Sequence, residues 1–167
     1  TERRDIVATA HHLGRDLTET ERQRLDHLHS EKVEAWLDSG QGECFLRDER
    51  IAQVVTDALR HFEGHRYDLI AWCVMPNHVH VILRPHAGQD LSAVLHSWKS
   101  FAAKEANRIL GRQGEFWQPE YYDHLIRDEQ DFCNQVRYVL ENPDKAKLPD
   151  WKWCGPGTGG STVVPPA

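Results

Sequence analysis

Two histidines separated by one residue are the part of this sequence that most directly suggests chemistry. His78 and His80 lie in the stretch Met75–Leu83, where apolar residues alternate as in a β-strand. Alternate residues of a strand point to the same face, so the two imidazoles can approach one metal ion. The intervening residues fall on the opposite face and are expected to be core: Val79, Val81 and Leu83. The spacing therefore predicts a strand with one apolar face and two candidate metal ligands on the other.

A tyrosine further along the chain offers a nucleophile. The stretch Glu129–Asn142 predicts a helix, because its apolar residues recur at helical spacing, and Pro143 is expected to end it. Tyr138 lies outside the apolar stripe of this helix, and Asn142, four residues later, is its neighbour on the same face. The pair combines a hydroxyl nucleophile with an amide oxygen that can ligate a metal.

Two other tyrosines compete for the role of nucleophile. Tyr121 and Tyr122 are followed four residues later by Leu125 and Ile126, which cannot ligate a metal, so Tyr138 is preferred. A phenol with an ordinary pKa near 10 must lose its proton before it attacks. The sequence leaves the proton acceptor open, and the candidates are a metal-bound water, Gln135 and Asp131.

These elements together resemble the single-tyrosine HUH nucleases and, within that class, the REP-associated tyrosine transposases. The segments that carry the resemblance follow the family's order and are Trp72–His80, Leu95–Phe101, Phe116–Gln118, Tyr121–His124 and Arg137–Pro143. The resemblance covers roughly residues 45–153, and the first 40 residues match less clearly. It implies an α+β fold with a ferredoxin-like or palm-like antiparallel sheet flanked by helices, which the order of the predicted elements also suggests.

The resemblance implies a metal-dependent reaction on single-stranded DNA. A divalent cation, Mg²⁺ or Mn²⁺, would be held by His78, His80 and Asn142, and Tyr138 would form a 5′-phosphotyrosine and release a 3′-OH. Two imidazoles and an amide by themselves favour Mn²⁺ or Zn²⁺ over Mg²⁺. The implied substrate is DNA with REP-like palindromes that fold into hairpins. The protein would act as a monomer or a homodimer, and the residues leave that choice open.

The predicted helix Leu91–Leu110 carries a polar stripe that can contact DNA. The candidate DNA-binding residues are Ser97, Lys99, Ser100, Lys104 and Arg108 on this helix, together with Trp117 and His124. A merely solvated helix face is an equally good interpretation of the stripe. Trp98, Phe101 and Trp117 can stack on unpaired bases, although Trp98 lies in the apolar stripe and is expected to pack inside the protein.

The charge of the chain argues against an extensive DNA interface. The formal net charge is −6, whereas nucleic-acid-binding proteins usually carry a basic surface. The distribution is uneven, with net charges of −5 for residues 1–64, +3 for 65–112 and −4 for 113–167. The only positive segment contains the two histidines and the helix after them. We therefore expect few phosphate contacts and a shallow dependence of DNA affinity on salt.

The rest of the chain predicts a single domain over residues 1–154 and a disordered Gly/Pro-rich tail over 155–167. Thr18 and Glu21 form a capping-box pattern that opens a helix extending to about Leu37. The other predicted helix, Asp48–Phe62, ends near Gly64, while Asp90 caps the helix Leu91–Leu110 and Gly111 ends it. The predicted strands are Ile6–His12, Glu43–Leu46, Tyr67–Val74, His78–Arg84 and Phe116–Ile126.

Several classes of protein do not fit the sequence. No apolar run approaches the ~20 residues of a membrane span, and no leader is recognisable. The resemblance implies a location in the cytoplasm of a bacterial-type cell, in association with the nucleoid. The four cysteines show no Cys-x-x-Cys spacing, which favours reduced thiols over a disulfide framework or a zinc site: Cys44, Cys73, Cys133 and Cys154.

Three alternative functions belong to other classes. A histidine-triad nucleotide hydrolase needs a third alternate histidine, where this chain has Ile82. A two-histidine phosphodiesterase needs two His-x-Thr or His-x-Ser elements, and neither is present. The runner-up is a domesticated, non-catalytic module that binds hairpins or single-stranded DNA. Binding that survives Tyr138→Phe, without cleavage by the wild type under any metal, would favour that module.

Overall fold

Within residues 43–158, the described part of the chain forms a three-stranded antiparallel sheet with helices on both faces. The computed structural model describes residues 18–21, 43–118, 125–126 and 129–158. In chain order the elements are α1 (Glu49–His61), β1 (Tyr67–Val74), β2 (Val79–Pro85), α2 (Leu91–Leu110), α3 (Glu129–Lys145) and β3 (Cys154–Pro156). The strand order is β2-β1-β3, and both pairings are antiparallel. The predicted α+β class with an antiparallel sheet flanked by helices is confirmed.

The β1–β2 hairpin holds the predicted metal ligands at its tip. Its turn is closed by the amide of Met75, which donates to the carbonyl of His78 at 2.8 Å. The register pairs Val74 with Val79 and Cys73 with His80. Because β2 begins at Val79, His78 belongs to the turn and not to the predicted strand His78–Arg84.

A β-bulge changes which residues of β1 face each of the two cores. The pairing register with β2 shifts between Leu69 and Ala71, so one extra residue is accommodated there. As a result, one core receives odd-numbered residues before the bulge and even-numbered residues after it: Tyr67, Leu69, Trp72 and Val74. The other core receives Ala71 and Cys73. The bulge thus gives each layer of helices its own apolar surface to pack against.

The helices α1 and α2 cover one face of the sheet. The buried stripe of α2 recurs every four residues and consists of Val94, Trp98, Ala102 and Ala106. The Trp98 indole N–H donates to the Tyr67 hydroxyl at 2.9 Å, and this hydroxyl donates to the carbonyl of Leu59 at 2.8 Å. Every polar group of these two buried rings is therefore satisfied. The prediction that Trp98 packs inside the protein is confirmed.

Helix α3 covers the opposite face, and its orientation differs from the one that its apolar stripe predicts. Val139 packs with Cys73 and Ile82 in the second core, as expected of an apolar residue. Asn142, which was expected outside the stripe, is only 2 % exposed. The buried side of α3 therefore runs through Val139, Asn142 and Pro143 and carries a polar side chain towards the sheet.

The prediction that Pro143 ends this helix is wrong, since α3 continues to Lys145. A proline inside a helix leaves the carbonyl four residues earlier without its N–H donor. That carbonyl belongs to Val139, and the thiol of Cys154 donates to it with a sulfur–oxygen distance of 3.6 Å. A donor from β3 thus compensates for the missing amide and lets the helix pass through the proline.

Two other predicted strands differ from the structure. Residues Phe45–Arg47 form a 3₁₀ turn in place of the predicted strand Glu43–Leu46. The ring of Phe45 stacks on Phe116, with 5.7 Å between centroids, so side-chain packing holds this segment instead of a strand ladder. The described parts of the predicted strand Phe116–Ile126, residues 116–118 and 125–126, are not in a strand.

The carboxy-terminal residues also differ from their prediction. Gly155 and Pro156 belong to β3, although they were assigned to a disordered tail. Gly157 donates its amide to the carbonyl of Ile70 at 2.9 Å, and a side chain here would collide with the backbone of Leu69. This close fit against β1 holds residues 155–158 in place. The remaining predicted tail, residues 159–167, lies outside the described residues.

Apart from Pro143, the residues predicted to begin and end helices do so in the described part of the chain. Asp48 and Asp90 cap α1 and α2 by accepting from the amides two residues later, and Gly111 ends α2 with a φ of +63°. Thr18 and Glu21 exchange the hydrogen bonds of a capping box. The predicted strand Ile6–His12 and the body of the first helix lie outside the described residues. No described helix is both long and apolar enough to span a bilayer.

Candidate active site

The two histidines converge at the tip of the hairpin. The Nε2 atoms of His78 and His80 lie 2.8 Å apart, and their rings meet edge to face with centroids separated by 4.5 Å. Two nitrogens bound to one metal at about 2.1 Å would be about 3.0 Å apart at a 90° angle and about 3.4 Å apart at a tetrahedral angle. The observed separation is shorter than both values and is that of an N–H···N hydrogen bond between the two rings.

Asn77 determines which nitrogen of His78 carries the proton. Its side-chain oxygen lies 2.7 Å from Nδ1 of His78, and an amide oxygen can only accept a hydrogen bond. His78 is therefore protonated on Nδ1, and the lone pair of its Nε2 atom faces His80. The short contact between the two Nε2 atoms then requires that His80 carries its proton on Nε2.

Both imidazoles are held in the neutral form. Burial lowers the pKa of His78 to about 4. Burial lowers the pKa of His80 to about 3, and the nearby His78 contributes in the same direction. At pH 7 neither ring is charged, and a neutral imidazole is the form that binds a metal ion.

Asn142 presents a buried oxygen without a hydrogen-bond partner among the described residues. Its Oδ1 atom is one of the few such side-chain acceptors, on a residue that is 2 % exposed. An unsatisfied buried acceptor costs about 1–3 kcal/mol. A cation would remove that cost, so the orphaned oxygen fits the predicted role of metal ligand. Among the described residues, no three His, Cys, Asp or Glu side chains form a cluster that could hold a metal.

Tyr138 is positioned against the histidines by α3. Its ring meets that of His80 edge to face, with 5.4 Å between centroids. The sequence-predicted ligands His78 and His80 and the predicted nucleophile are therefore brought together, and Asn142 follows one helical turn later on the buried side of α3. The two candidate proton acceptors contact each other, since Gln135 donates to Asp131 at 3.4 Å.

Lys145 is a residue of this site that the sequence analysis missed. Its ammonium group lies 4.9 Å from the centre of the Tyr138 ring and 3.7 Å from the carboxylate of Glu141. Lys145 follows Tyr138 by seven residues, which is two turns of the helix, so both lie on one helix face. That spacing was a usable signal, but the helix was predicted to end before Lys145.

Two of the predicted DNA-binding residues hold the segment after α2. Lys99 donates from its ammonium group to the carbonyl of Gln118 at 3.0 Å, and the indole of Trp117 donates to the carbonyl of Lys99 at 3.0 Å. Trp117 also packs edge to face on Phe116, with 4.9 Å between ring centroids. These contacts give Lys99 and Trp117 a structural role in addition to any contact with DNA.

The other predicted DNA-binding residues form a surface on α2. Ser100 lies 3.4 Å from His96, Ser97 is half-buried and Lys104 is exposed. Arg108 is paired with Glu105 at 2.9 Å. Phe101, on the same side of the helix, is 51 % exposed. His124 and the rival tyrosines Tyr121 and Tyr122 lie outside the described residues.

Comparison with known proteins gives a consistent result. A family model described as IS200-like transposase matches residues 45–142, which is more than half of the chain. A Haemophilus influenzae protein named as a REP-associated tyrosine transposase is 25 % identical over 115 residues, covering 58 % of this chain and 65 % of that protein. The Escherichia coli REP-associated tyrosine transposase is 30 % identical over 90 residues, covering 51 % of this chain and 52 % of that protein. The chain thus spans less than two thirds of these relatives, and no solved structure matches it.

Proposed function

Because this chain belongs to the IS200-like transposase family, we propose that it is a metal-dependent single-stranded DNA endonuclease and strand transferase. The observation that carries the proposal is the convergence of the His78 and His80 nitrogens, 2.8 Å apart, beside the ring of Tyr138. The names of the two relatives support REP-like palindromes that fold into hairpins as the substrate.

The proposed metal site consists of His78, His80 and Asn142. Two neutral imidazoles and an uncharged amide oxygen can accept a divalent cation, Mg²⁺ or Mn²⁺, without displacing protons from cationic side chains. When bound, the cation would neutralise charge on the phosphate oxygens and so make the phosphorus easier to attack. Asn77 holds His78 in the tautomer whose Nε2 lone pair is available to it.

Tyr138 is the proposed nucleophile. Its hydroxyl oxygen bonds to phosphorus while the bond from phosphorus to the 3′ oxygen breaks, which yields a 5′-phosphotyrosine and a 3′-OH. The phenolic proton leaves to a base, and the departing 3′ oxygen takes up a proton. Of the two candidate side chains Asp131 is the proposed base, because the amide of Gln135 is not basic. A 3′-OH can reverse the step, and the enzyme can thereby join strands without a nucleotide cofactor.

The neighbours of Tyr138 restrict the position of its ring. His80 contacts one edge, and the Lys145 ammonium lies over its face at 4.9 Å. A cation over an aromatic face is attracted by about 0.5–1 kcal/mol at an exposed site. We propose that Lys145 helps to orient the nucleophile and, once DNA is bound, lies close to the anionic phosphate.

The contact of Tyr138 with His80 of its own chain supports a tyrosine that acts in cis, in a monomer or a homodimer. A hairpin substrate would bring the protein to the bacterial chromosome, in the cytoplasm.

A covalent-adduct assay tests the proposal. Labelled single-stranded hairpin libraries are incubated with Mn²⁺ or Mg²⁺ and resolved on denaturing gels. We expect a protein–DNA adduct that requires the metal and is absent from Tyr138→Phe. The single variants Tyr121→Phe and Tyr122→Phe are matched controls and should keep the adduct. An adduct that persists in Tyr138→Phe would show that another tyrosine attacks. Hairpin binding without any adduct would instead identify a non-catalytic binding module.

A further inference from the structure

Two cysteines face each other across neighbouring strands of the sheet. Cys73 of β1 and Cys154 of β3 are direct partners in the strand register. Amides donate from Gly157 to Ile70 at 2.9 Å and from Val74 to Trp153 at 2.8 Å. Hydrogen-bonded and non-hydrogen-bonded pairs alternate along an antiparallel ladder, so the cysteine pair occupies a non-hydrogen-bonded position.

That position has the geometry of a disulfide. The Cα atoms of a non-hydrogen-bonded pair are about 4.5 Å apart and their side chains are at their closest. Disulfides need Cα atoms about 4.4–6.8 Å apart, so the bond requires no movement of the strands. Both thiols are reduced in this structure, and Cys73 is fully buried while Cys154 is partly exposed.

The two thiols differ in reactivity. A hydrogen bond from Cys73 lowers the pKa of the Cys154 thiol, against the effect of burial. The same hydrogen bond, together with burial, raises the pKa of the Cys73 thiol. Cys154 is also the partly exposed sulfur, so it is the one that an oxidant in the solvent reaches first.

The thiol of Cys154 also donates to helix α3, and a disulfide would remove this donor. Its thiol lies 3.6 Å from the carbonyl of Val139 and 3.7 Å from that of Leu140, both on α3. Val139 precedes Pro143 by four residues, so its carbonyl receives no amide donor from within the helix. The S–H group of Cys154 thus supports the helical turn between Tyr138 and Asn142.

We propose that Cys73 and Cys154 are a peroxide-responsive pair whose disulfide withdraws this donor from α3. The Cys154 thiolate attacks one oxygen of a hydroperoxide, which breaks the O–O bond and leaves a sulfenic acid and, after protonation, water or an alcohol. The sulfur of Cys73 then attacks the sulfenic sulfur, the S–O bond breaks, and water leaves with the thiol proton. Two thiols lose two electrons in total, and the hydroperoxide gains them. A dithiol such as dithiothreitol reverses the change.

The disulfide is tested on the full chain with hydrogen peroxide. We expect the loss of two of the four thiols, and a peptide in which Cys73 is linked to Cys154. The double variant Cys44→Ser/Cys133→Ser should form the same bond, whereas Cys73→Ser should stop at the sulfenic acid of Cys154. Overoxidation of Cys154 beside a reduced Cys73, or a bond that involves Cys44 or Cys133, would overturn the proposal.

The effect on α3 is measured by hydrogen exchange of peptides that cover residues 139–148. Oxidation should speed exchange there, and dithiothreitol should restore the slower rate. Cys154→Ala removes the donor without oxidation and should imitate the oxidised protein, whereas Cys154→Ser keeps an O–H donor and should resemble the reduced one. Unchanged exchange in the oxidised protein and in Cys154→Ala would refute the link to α3.

A third measurement, the rate of DNA-adduct formation, rests on the proposed function. We expect the oxidised protein to form the adduct more slowly than the reduced protein. If the chain forms no adduct in either state, the proposed function fails while the disulfide and exchange results still stand. If the adduct forms equally fast in both states, only the regulatory consequence fails.

Discussion

At the scale of single residues, the candidate site depends on the position of one proton. His80 carries its proton on Nε2, which faces His78, and an Nε2 atom that bears a proton cannot bind a metal. Metal binding therefore requires that His80 transfers this proton to Nδ1 or loses it. His78 needs no such change, because Asn77 already holds its proton on Nδ1. His78 can therefore bind a metal ion in its present tautomer, whereas His80 must first change its own.

The first prediction concerns Asn77→Leu. Without the amide oxygen, His78 loses the acceptor that holds its proton on Nδ1 at 2.7 Å, and the Nε2-protonated form should gain population. Loss of such a supporting hydrogen bond typically weakens metal affinity by about 10–100-fold. Nitrogen-15 NMR of the imidazoles in EDTA reports the tautomer, and Mn²⁺ titration by electron paramagnetic resonance reports the affinity. Asn77→Asp keeps an acceptor and should preserve the tautomer. An unchanged tautomer in Asn77→Leu would contradict this role.

The second prediction concerns the orphaned oxygen of Asn142. Leucine has a similar size and buries no acceptor, so Asn142→Leu should raise the free energy of unfolding in EDTA by about 1 kcal/mol. The same change should weaken Mn²⁺ binding, and Asn142→Asp, which adds an anionic oxygen, should strengthen it. Urea unfolding and Mn²⁺ titration measure the two effects. Destabilisation by Asn142→Leu with unchanged Mn²⁺ affinity would identify Asn142 as a structural residue.

Spacing alone was enough to single out the residues that we propose for the site. His78, His80, Tyr138 and Asn142 were chosen because alternation in a strand and four-residue spacing in a helix are strictly local rules. Lys145 was missed because its place beside Tyr138 depends on the helix continuing through Pro143. That continuation needs a donor from Cys154, which no local rule can anticipate.

At the scale of elements, local signals predicted the elements that depend on their own sequence. The bounds of β1 and α2 agree with the prediction, since an apolar run, an aspartate cap and a terminal glycine define them. The strand β3 was not predicted because three residues that include glycine and proline have little strand propensity. It forms because β3 pairs with an edge of β1 and because Gly157 fits closely over the backbone of Leu69. Both contacts are features of the tertiary structure.

The third prediction concerns pH and the base of the hairpin, where β1 and β2 share a charged cluster. Asp68 accepts from His86 at 2.9 Å and from Arg84 at 2.7 Å. The hydrogen bond with Asp68 raises the pKa of His86, so the folded value lies above the ordinary value of about 6.5. The stabilisation is therefore fully present below pH 6.5 and is lost as pH rises through the folded pKa.

Proton NMR titration of His86 measures this shift. Asp68→Asn should lower the pKa of His86 towards its ordinary value. Arg84→Gln removes a nearby positive charge and should raise the pKa of His86 further. Because the cluster is exposed, the accompanying change in stability should be small. A His86 pKa that does not respond to Asp68→Asn would show that the contact does not persist in solution.

At the scale of the whole molecule, we expect one chain to be sufficient for the proposed reaction. The predicted nucleophile contacts His80 of its own chain, with ring centroids 5.4 Å apart. The basic segment 65–112 is also partly neutralised within the chain, since Arg84, Arg108 and Arg112 pair with acidic side chains. Within this described segment fewer cations thus remain for phosphates, in line with the expectation of few phosphate contacts.

The fourth prediction is that the chain supplies its own tyrosine. His80→Ala and Tyr138→Phe should each abolish the DNA adduct, and a mixture of the two variants should form none, because neither chain has a complete site. Denaturing gels with tags of different mass on the two variants measure this. Each variant mixed with wild type should leave the wild-type adduct intact. An adduct on the His80→Ala chain in the mixture would show that a second chain supplies the metal site.

The strand β3 has a practical consequence for where this protein can be cut. The match to the family ends at residue 142, before β3 begins at Cys154. A fragment designed on that match would expose the backbone amides and carbonyls of β1 to solvent along one edge. An unpaired edge next to a hydrophobic face is a template for aggregation. An expression fragment should therefore extend at least to Thr158, because the unit that folds is longer than the unit recognised by similarity.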